Sequence, residues 1–264
     1  MSTESTDLVV RLRAAGCVFA EEEAALLAAA AAETGADLER LVAQRVSGMP
    51  LEYLLGWAEF HGLRVAVAPG VFVPRQRTGF LVDEAAELAR AHERPVVVDL
   101  CCGSGALGLA LATTLADAGL SIELAAADIE PAAVECARRN LAPIGAAVYE
   151  GDLFEPLPRE LRGCIDILLA NTPYVPSAKI AQMPPEARDY EPRSALDGGP
   201  DGLDIFRRVV EAAESWLAPG GHLLVESSAA QAPTATAVLI DHGFAARTAE
   251  SEDFYATVVI GTRP

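Results

Sequence analysis

Apolar positions along the first fifth of the chain recur at helical spacing. Leu8, Leu12 and Ala15 form one set, Ala24, Leu27, Ala28 and Ala31 a second, and Leu38, Leu41, Val42 and Val46 a third. Gly16, Gly35 and Gly48-Met49-Pro50 separate them. Residues 7–48 therefore read as short helices, and residues 1–50 as a small helical domain that presents or recognises a partner. Residues 51–78 change texture: Gly56, Gly62, Pro69, Gly70 and Pro74 exclude a long helix, and residues 63–67 alternate as a strand. This stretch reads as a hairpin linking the helices to a larger domain at 79–264.

From Pro95 onward, apolar runs alternate with helical patterns. Strands are expected at 96–98, 122–127, 146–149, 165–170 and 222–226. Helices are expected at 106–116, 131–141 with proline in its first turn, 201–217 and 229–242. Two closing strands, 244–249 and 254–260, suit an antiparallel pair. Strands separated by helices imply an α/β fold, with a mostly parallel sheet covered on both faces.

Three strand ends carry candidate chemistry. The first strand runs into Asp99-Leu100-Cys101-Cys102-Gly103-Ser104-Gly105 and a helix start, where glycines let backbone approach a ligand. The second ends at Asp128, followed by Ile129; a carboxylate there can accept hydrogen bonds from a ribose. The third leads into Gly151-Asp152-Leu153. The D-x-x-x-G-x-G spacing differs from the dinucleotide fingerprint, which argues against NAD.

The fourth strand ends in Asn171-Thr172-Pro173-Tyr174, on the side of the sheet where open α/β folds bind ligands. A planar amide or arylamine nitrogen is a poor nucleophile because its lone pair is delocalised. These four residues resemble a motif of methyltransferases acting on such nitrogens, and the resemblance implies that a side-chain oxygen from Asn171 and the Thr172 carbonyl accept the two N–H groups and favour a pyramidal nitrogen, while Tyr174 packs on the substrate plane. A strand-end turn capped by Asn and Pro is the plainer reading of these residues.

The net charge of −18 disfavours binding to naked nucleic acid. Five cysteines without a CxxC pair argue against a disulfide framework and a zinc site. His61, His92, His222 and His242 form no metal-binding spacing, so no metal is expected. The polar start lacks a basic signal-peptide region, and no apolar run reaches the ~20 residues of a membrane span. A cytoplasmic protein without membrane contact is the expectation.

The glycine turn resembles motif I of class I S-adenosylmethionine-dependent methyltransferases. The resemblance implies a Rossmann-like, seven-stranded sheet with cofactor contacts from Asp99, Cys101, Cys102, Gly103, Ser104, Gly105, Asp128, Ile129, Asp152, Leu153 and Asn171. Asn171-Thr172-Pro173-Tyr174 resembles the [DNS]-P-P-[YFW] motif of methyltransferases acting on planar nitrogens, with Thr172 where proline is usual. Downstream, Glu191-Pro192 and Ala195-Leu196-Asp197-Gly198-Gly199-Pro200-Asp201-Gly202-Leu203 resemble a block of the protein glutamine-N5 methyltransferases, the HemK/PrmC group. Upstream, residues 48–56, Phe60 and residues 73–79 follow that group's pattern, with Gln76, Arg77 and Gly79 replacing the usual residues of a Pro-Arg-Pro-Glu-Thr-Glu block. The resemblance covers about residue 40 to the end and suggests a divergent subgroup. It implies methyl transfer from S-adenosylmethionine to a glutamine amide, with Asn171, Thr172, Pro173 and Tyr174 as the catalytic residues. The substrate protein it implies is a release factor with a Gly-Gly-Gln loop. Another protein or small-molecule acceptor, a nucleic-acid amino group, and a non-catalytic cofactor-binding module are the other readings.

Overall fold

The computed structural model describes residues 3–264, with side chains from residue 6. The first two residues of the polar start lie outside the described residues. Four helices open the chain: α1 (Thr3–Ala14), α2 (Ala20–Thr34), α3 (Leu38–Val46) and α4 (Leu51–Leu55). Leu8, Leu12, Leu27 and Val42 close a core of their own. Asp37 caps α3 by accepting from the Glu39 N–H, and Gly35 ends α2 in the left-handed conformation.

The pattern of apolar spacing misplaces one face of α3. Val46 is exposed, whereas Arg45 is buried. Arg45 is drawn in by charge: Nε donates to Glu23 Oε2 at 2.6 Å and Nη1 meets Glu186 Oε1 at 2.6 Å. Periodicity counts apolar residues, so a buried ion pair is invisible to it.

A hairpin follows, β1 (Trp57–Phe60) against β2 (Leu63–Ala66). Next comes α5 (Gly79–Ala89), which the pattern of residues 51–95 does not announce. It buries Leu81, Val82, Ala85, Ala86 and Ala89, a helical stripe. No side chain caps its start, so the usual punctuation is missing.

The remaining elements are β3 (Val96–Leu100), α6 (Ala106–Asp117), β4 (Glu123–Asp128), α7 (Pro131–Leu141), β5 (Ala147–Glu150), β6 (Ile165–Ala170), α8 (Pro185–Tyr190), α9 (Asp204–Trp216), β7 (Leu217–Ser227), α10 (Ala232–Asp241), β8 (Ala245–Ser251) and β9 (Ala256–Thr262). Seven strands form one sheet in the order β5-β4-β3-β6-β7-β9-β8. The first five are parallel, and β9 runs antiparallel to both β7 and β8, as the closing strands suggested. Helix α9 starts later than expected because Gly199 and Gly202 hold left-handed turns just before it.

Successive residues on the strands feed opposite cores. Val97, Ile167, Leu169 and Leu224 pack with α5 and α6, while Val98, Leu168, Leu223 and Val225 pack with α9 and α10. Strand order reverses between β3 and β6: the chain moves outward from β3 to β5, then returns to β6 on the other side. Their carboxyl ends therefore open a crevice between them. Among the described residues, no helix is long and apolar enough to cross a membrane.

Arg45 and Glu23 are almost fully enclosed, with side-chain exposures of 8% and 11%. Removing one partner strands a buried charge. Arg45→Met is expected to destabilise the chain by about 3–5 kcal/mol. The double change Glu23→Leu with Arg45→Met should recover most of that loss. Denaturant unfolding of the three variants checks both expectations; a double variant no more stable than Arg45→Met contradicts them.

Candidate active site

The turn after β3 is built from left-handed backbone. Cys101 has φ 53°, Gly103 φ 55° and Gly105 φ 77°. Gly105 caps α6, and a Cβ there would meet Leu141 Cδ1 at 3.0 Å. Asp99 lies beneath this turn, almost wholly buried, with Oδ2 accepting from the Gly108 N–H at 3.0 Å and Oδ1 without a partner. Burial pushes its carboxyl up to about 7. Cys101 and Cys102 are thiols raised by burial and by nearby acids, so neither is an activated nucleophile.

Asp128 ends β4 beside this turn. Its Oδ2 accepts from the Gly103 N–H at 2.8 Å and its Oδ1 from the Glu130 N–H at 2.9 Å. Each oxygen keeps a lone pair for a hydroxyl donor. Ile129 follows with 56% of its surface exposed, an apolar face turned outward at a cavity wall. Asp152 and Leu153 reach the same wall from beyond β5. Asp152 Oδ2 is held by Arg208 Nη2 of α9 at 2.7 Å, and Leu153 has φ 49°.

On the other side of the crevice, β6 ends and Asn171-Thr172-Pro173-Tyr174 begins. Asn171 Oδ1 is buried without a partner. An orphaned acceptor of this kind costs about 1–3 kcal/mol unless a ligand supplies a donor. Tyr174 is held at three points. Its hydroxyl donates to Glu226 Oε1 at 2.8 Å and accepts from Arg77 Nη2 at 2.6 Å, while its carbonyl accepts from Gln231 Nε2 at 2.9 Å. Arg77 Nε also reaches Glu226 Oε1, at 3.1 Å. Burial raises the Tyr174 phenol, so it remains a proton donor.

One cavity gathers Cys101, Cys102, Gly103, Ser104, Asp128, Ile129, Asp152, Leu153 and Asn171-Thr172-Pro173-Tyr174 on its wall. Asp99 and Gly105 are not on it; they support the turn from behind. The residues fit an adenosine-bearing sulfonium: a glycine turn with close backbone, a carboxylate at a strand end, apolar Ile129 and Leu153, and the orphaned Asn171 acceptor nearby.

Sequence reasoning missed the frame around this cavity. Arg75 Nη2 donates to Glu191 at 2.6 Å, joining the two flanking blocks. Glu191 also accepts from the Val73 N–H at 3.3 Å. The loop before α9 backs the tetrad: Gly198 N–H donates to Val175 O, and a Cβ on Gly198 would lie 2.5 Å from Pro173 O. A Cβ on Gly202 would lie 2.2 Å from Tyr174 O. Arg193 steadies the loop through Asp197 at 2.9 Å, whereas Arg188 pairs with its own neighbour Asp189 in α8, at 2.7 Å. The paired glycines in the 198–202 block were the one available signal for this backing.

Comparison with known proteins places the chain. A family described as "Methyltransferase domain" matches residues 91–262. The release factor glutamine methyltransferase of Geobacter sulfurreducens is 43% identical over 206 residues, 77% of this chain and 69% of that protein. Its counterpart in Bradyrhizobium diazoefficiens is 35% identical over 263 residues, 89% of this chain and 86% of that protein. Among solved structures, the Thermus thermophilus 16S rRNA N2 G1207 methyltransferase in complex with AdoMet and guanosine superposes with TM-score 0.55 at 22% identity, over 79% of this chain and 50% of that one. That likeness concerns the fold.

Two expectations test this frame. Gly202→Ala should destabilise by about 2 kcal/mol or more, since it combines a left-handed φ of 81° with a clash against backbone. Gly220→Ala, with φ 80° and nothing within 4 Å, should cost only about 1 kcal/mol. Equal losses in denaturant unfolding would contradict the packing argument. For Asp99, the folded carboxyl titrates near 7 and the unfolded one near its ordinary value, ~3.9. The folded state thus holds its proton more tightly in between, and stability declines as pH rises through that window by about 1.4 kcal/mol per unit. Asp99→Asn should lack this component; a variant with the wild-type pH dependence would exclude it.

Proposed function

The chain belongs to the release factor glutamine methyltransferase family, and from that premise we propose that it methylates the side-chain amide nitrogen of a glutamine in a peptide-chain release factor, using S-adenosylmethionine. The observation that carries the reading is the orphaned, buried Oδ1 of Asn171, set in the cavity wall beside Thr172, Pro173 and Tyr174.

An amide nitrogen brings two N–H groups. Asn171 Oδ1 accepts one, and the Thr172 carbonyl, which takes no hydrogen bond from the backbone among the described residues, accepts the other. Two acceptors on one nitrogen orient it and favour the pyramidal form that can attack. The Tyr174 ring, fixed by Glu226, Arg77 and Gln231, covers the amide plane. Bound S-adenosylmethionine supplies a methyl activated by a positive sulfur, which departs as a neutral thioether while the nitrogen releases a proton to water. Asp128 would hold the ribose hydroxyls, and Ile129 and Leu153 would flank the adenine. Asp152, fixed by Arg208, would take the adenine amino group.

We assign helices α1–α4 to recognition of the substrate protein. Val18 and Phe19, in the turn between α1 and α2, are 81% and 64% exposed and supply apolar contact. The favoured acceptor is a glutamine in a Gly-Gly-Gln loop, a chain segment slender enough to enter a crevice. Direct binding of nucleic acid forms no part of this reading, because a net charge of −18 repels phosphate. The reaction is assigned to the cytoplasm, in keeping with five free cysteines.

Incubating the purified chain with labelled S-adenosylmethionine and purified release factors should place one methyl on the loop glutamine, read by peptide mass spectrometry. Asn171→Ala should lower kcat by about 10²–10³-fold, the effect of losing one oriented transition-state contact. An unmodified glutamine alongside bound cofactor would refute the acceptor.

A further inference from the structure

Arg77 and Tyr174 form a partition. One side faces the cavity already described; the other faces a second, shallower hollow. Glu226 lies at the bottom of that hollow with only 3% of its surface exposed. Its Oε1 is used by Tyr174 and Arg77, but its Oε2 is buried without a partner. Around the rim stand Glu250, Glu252 and Tyr255. The two glutamates are exposed, and Tyr255 is 91% exposed in the turn between β8 and β9. Arg77 is neutralised by Glu226, so the hollow keeps a net negative charge from the rim, an aromatic face and a spare buried acceptor.

We propose that this hollow is a subsite for a cationic side chain of the substrate protein, lysine or arginine, near the glutamine being methylated. The inference rests on the acceptor reading above. A glutamine whose amide sits at Asn171 would have its neighbouring residues at the mouth of the cavity, next to the hollow, since Arg77 and Tyr174 line both. A cation in the hollow pairs with Glu250 and Glu252, lies against Tyr255, and gives an N–H to Glu226 Oε2. This arrangement selects the sequence around the glutamine, whereas Asn171 selects the amide itself.

The test compares two forms of a purified release factor that differ only in carrying lysine or glutamate within two residues of the loop glutamine. Methylation by the full chain is followed with labelled S-adenosylmethionine. The lysine form should show a kcat/KM about threefold to tenfold higher, mostly through KM, as expected for two partly screened ion pairs. The preference should shrink in high salt. The double variant Glu250→Lys with Glu252→Lys should reverse it, while its thermal unfolding midpoint stays close to that of the parent. Equal rates for both forms in the parent, or a preference unchanged in the double variant, would overturn the subsite and leave the methylation reading standing. Methylation of neither form would instead refute the acceptor, and the subsite with it.

Discussion

No side chain fits between the tetrad loop and the glycine loop behind it. Pro173 and Tyr174 present their carbonyls where a Cβ on Gly198 or Gly202 would stand. The contact is backbone against backbone. It allows Val175 to exchange hydrogen bonds with Leu196 and Gly198, and Ser177 to donate to Gly199. An irregular segment inside a protein must find partners for its polar groups, and here the residues just after the tetrad find them. Arg75 with Glu191 and Gln231 with Tyr174 then tie the same segment to the chain before α5 and to α10. The orphaned Asn171 acceptor is steadied by the residues that follow it, since Tyr174, Val175 and Ser177 are all hydrogen-bonded.

The sheet supplies the other half of the geometry. Because β3 and β6 are neighbours at the point where strand order reverses, the cofactor turn and the tetrad emerge side by side from adjacent strand ends. Helix α6 leaves on one face and α9 on the other, so nothing crosses the crevice. Buried Asp99 fixes the turn from below by accepting from α6, and Asp128 fixes it from the side by accepting from Gly103. Asp128 holds Gly103 in the left-handed conformation that brings the chain close to a ligand, and Asp99 holds the first turn of α6 behind it. The two acids thus act first on the shape of the pocket wall.

What could be read from sequence follows from the range of the forces involved. The strands and helices after Pro95 are set by local periodicity, and the glycine turn, Asp128 and the tetrad are short segments at strand ends. These were legible apart from the short helix α8, as was the antiparallel closure by β8 and β9. Helix α5 was not, for want of a cap, although its apolar stripe is regular. The ion pairs around the buried acids Glu23, Glu191 and Glu226 were illegible for a different reason. Arg45 finds Glu23 and Glu186, Arg75 finds Glu191, and Arg77 finds Glu226, across separations that no window of the sequence spans. Each such arginine looks like an ordinary surface cation until the fold brings its acid to it.

Arg77 and Thr172 are best understood together. Family members usually carry proline at the second tetrad position, which stiffens the loop from within. Threonine gives up that local stiffness and keeps the carbonyl. In this chain the stiffness comes from outside the loop: the Tyr174 hydroxyl is fixed by Glu226 and Arg77, its carbonyl by Gln231, and its backbone by Gly202. A residue held at its hydroxyl by two partners and at its carbonyl by a third has little freedom left to lose when substrate arrives. The arginine at 77 also neutralises a carboxylate that would otherwise stand charged and enclosed beside the tetrad. One substitution removes rigidity from the covalent chain, and the other restores it through a tertiary contact that closes the catalytic cavity on that side.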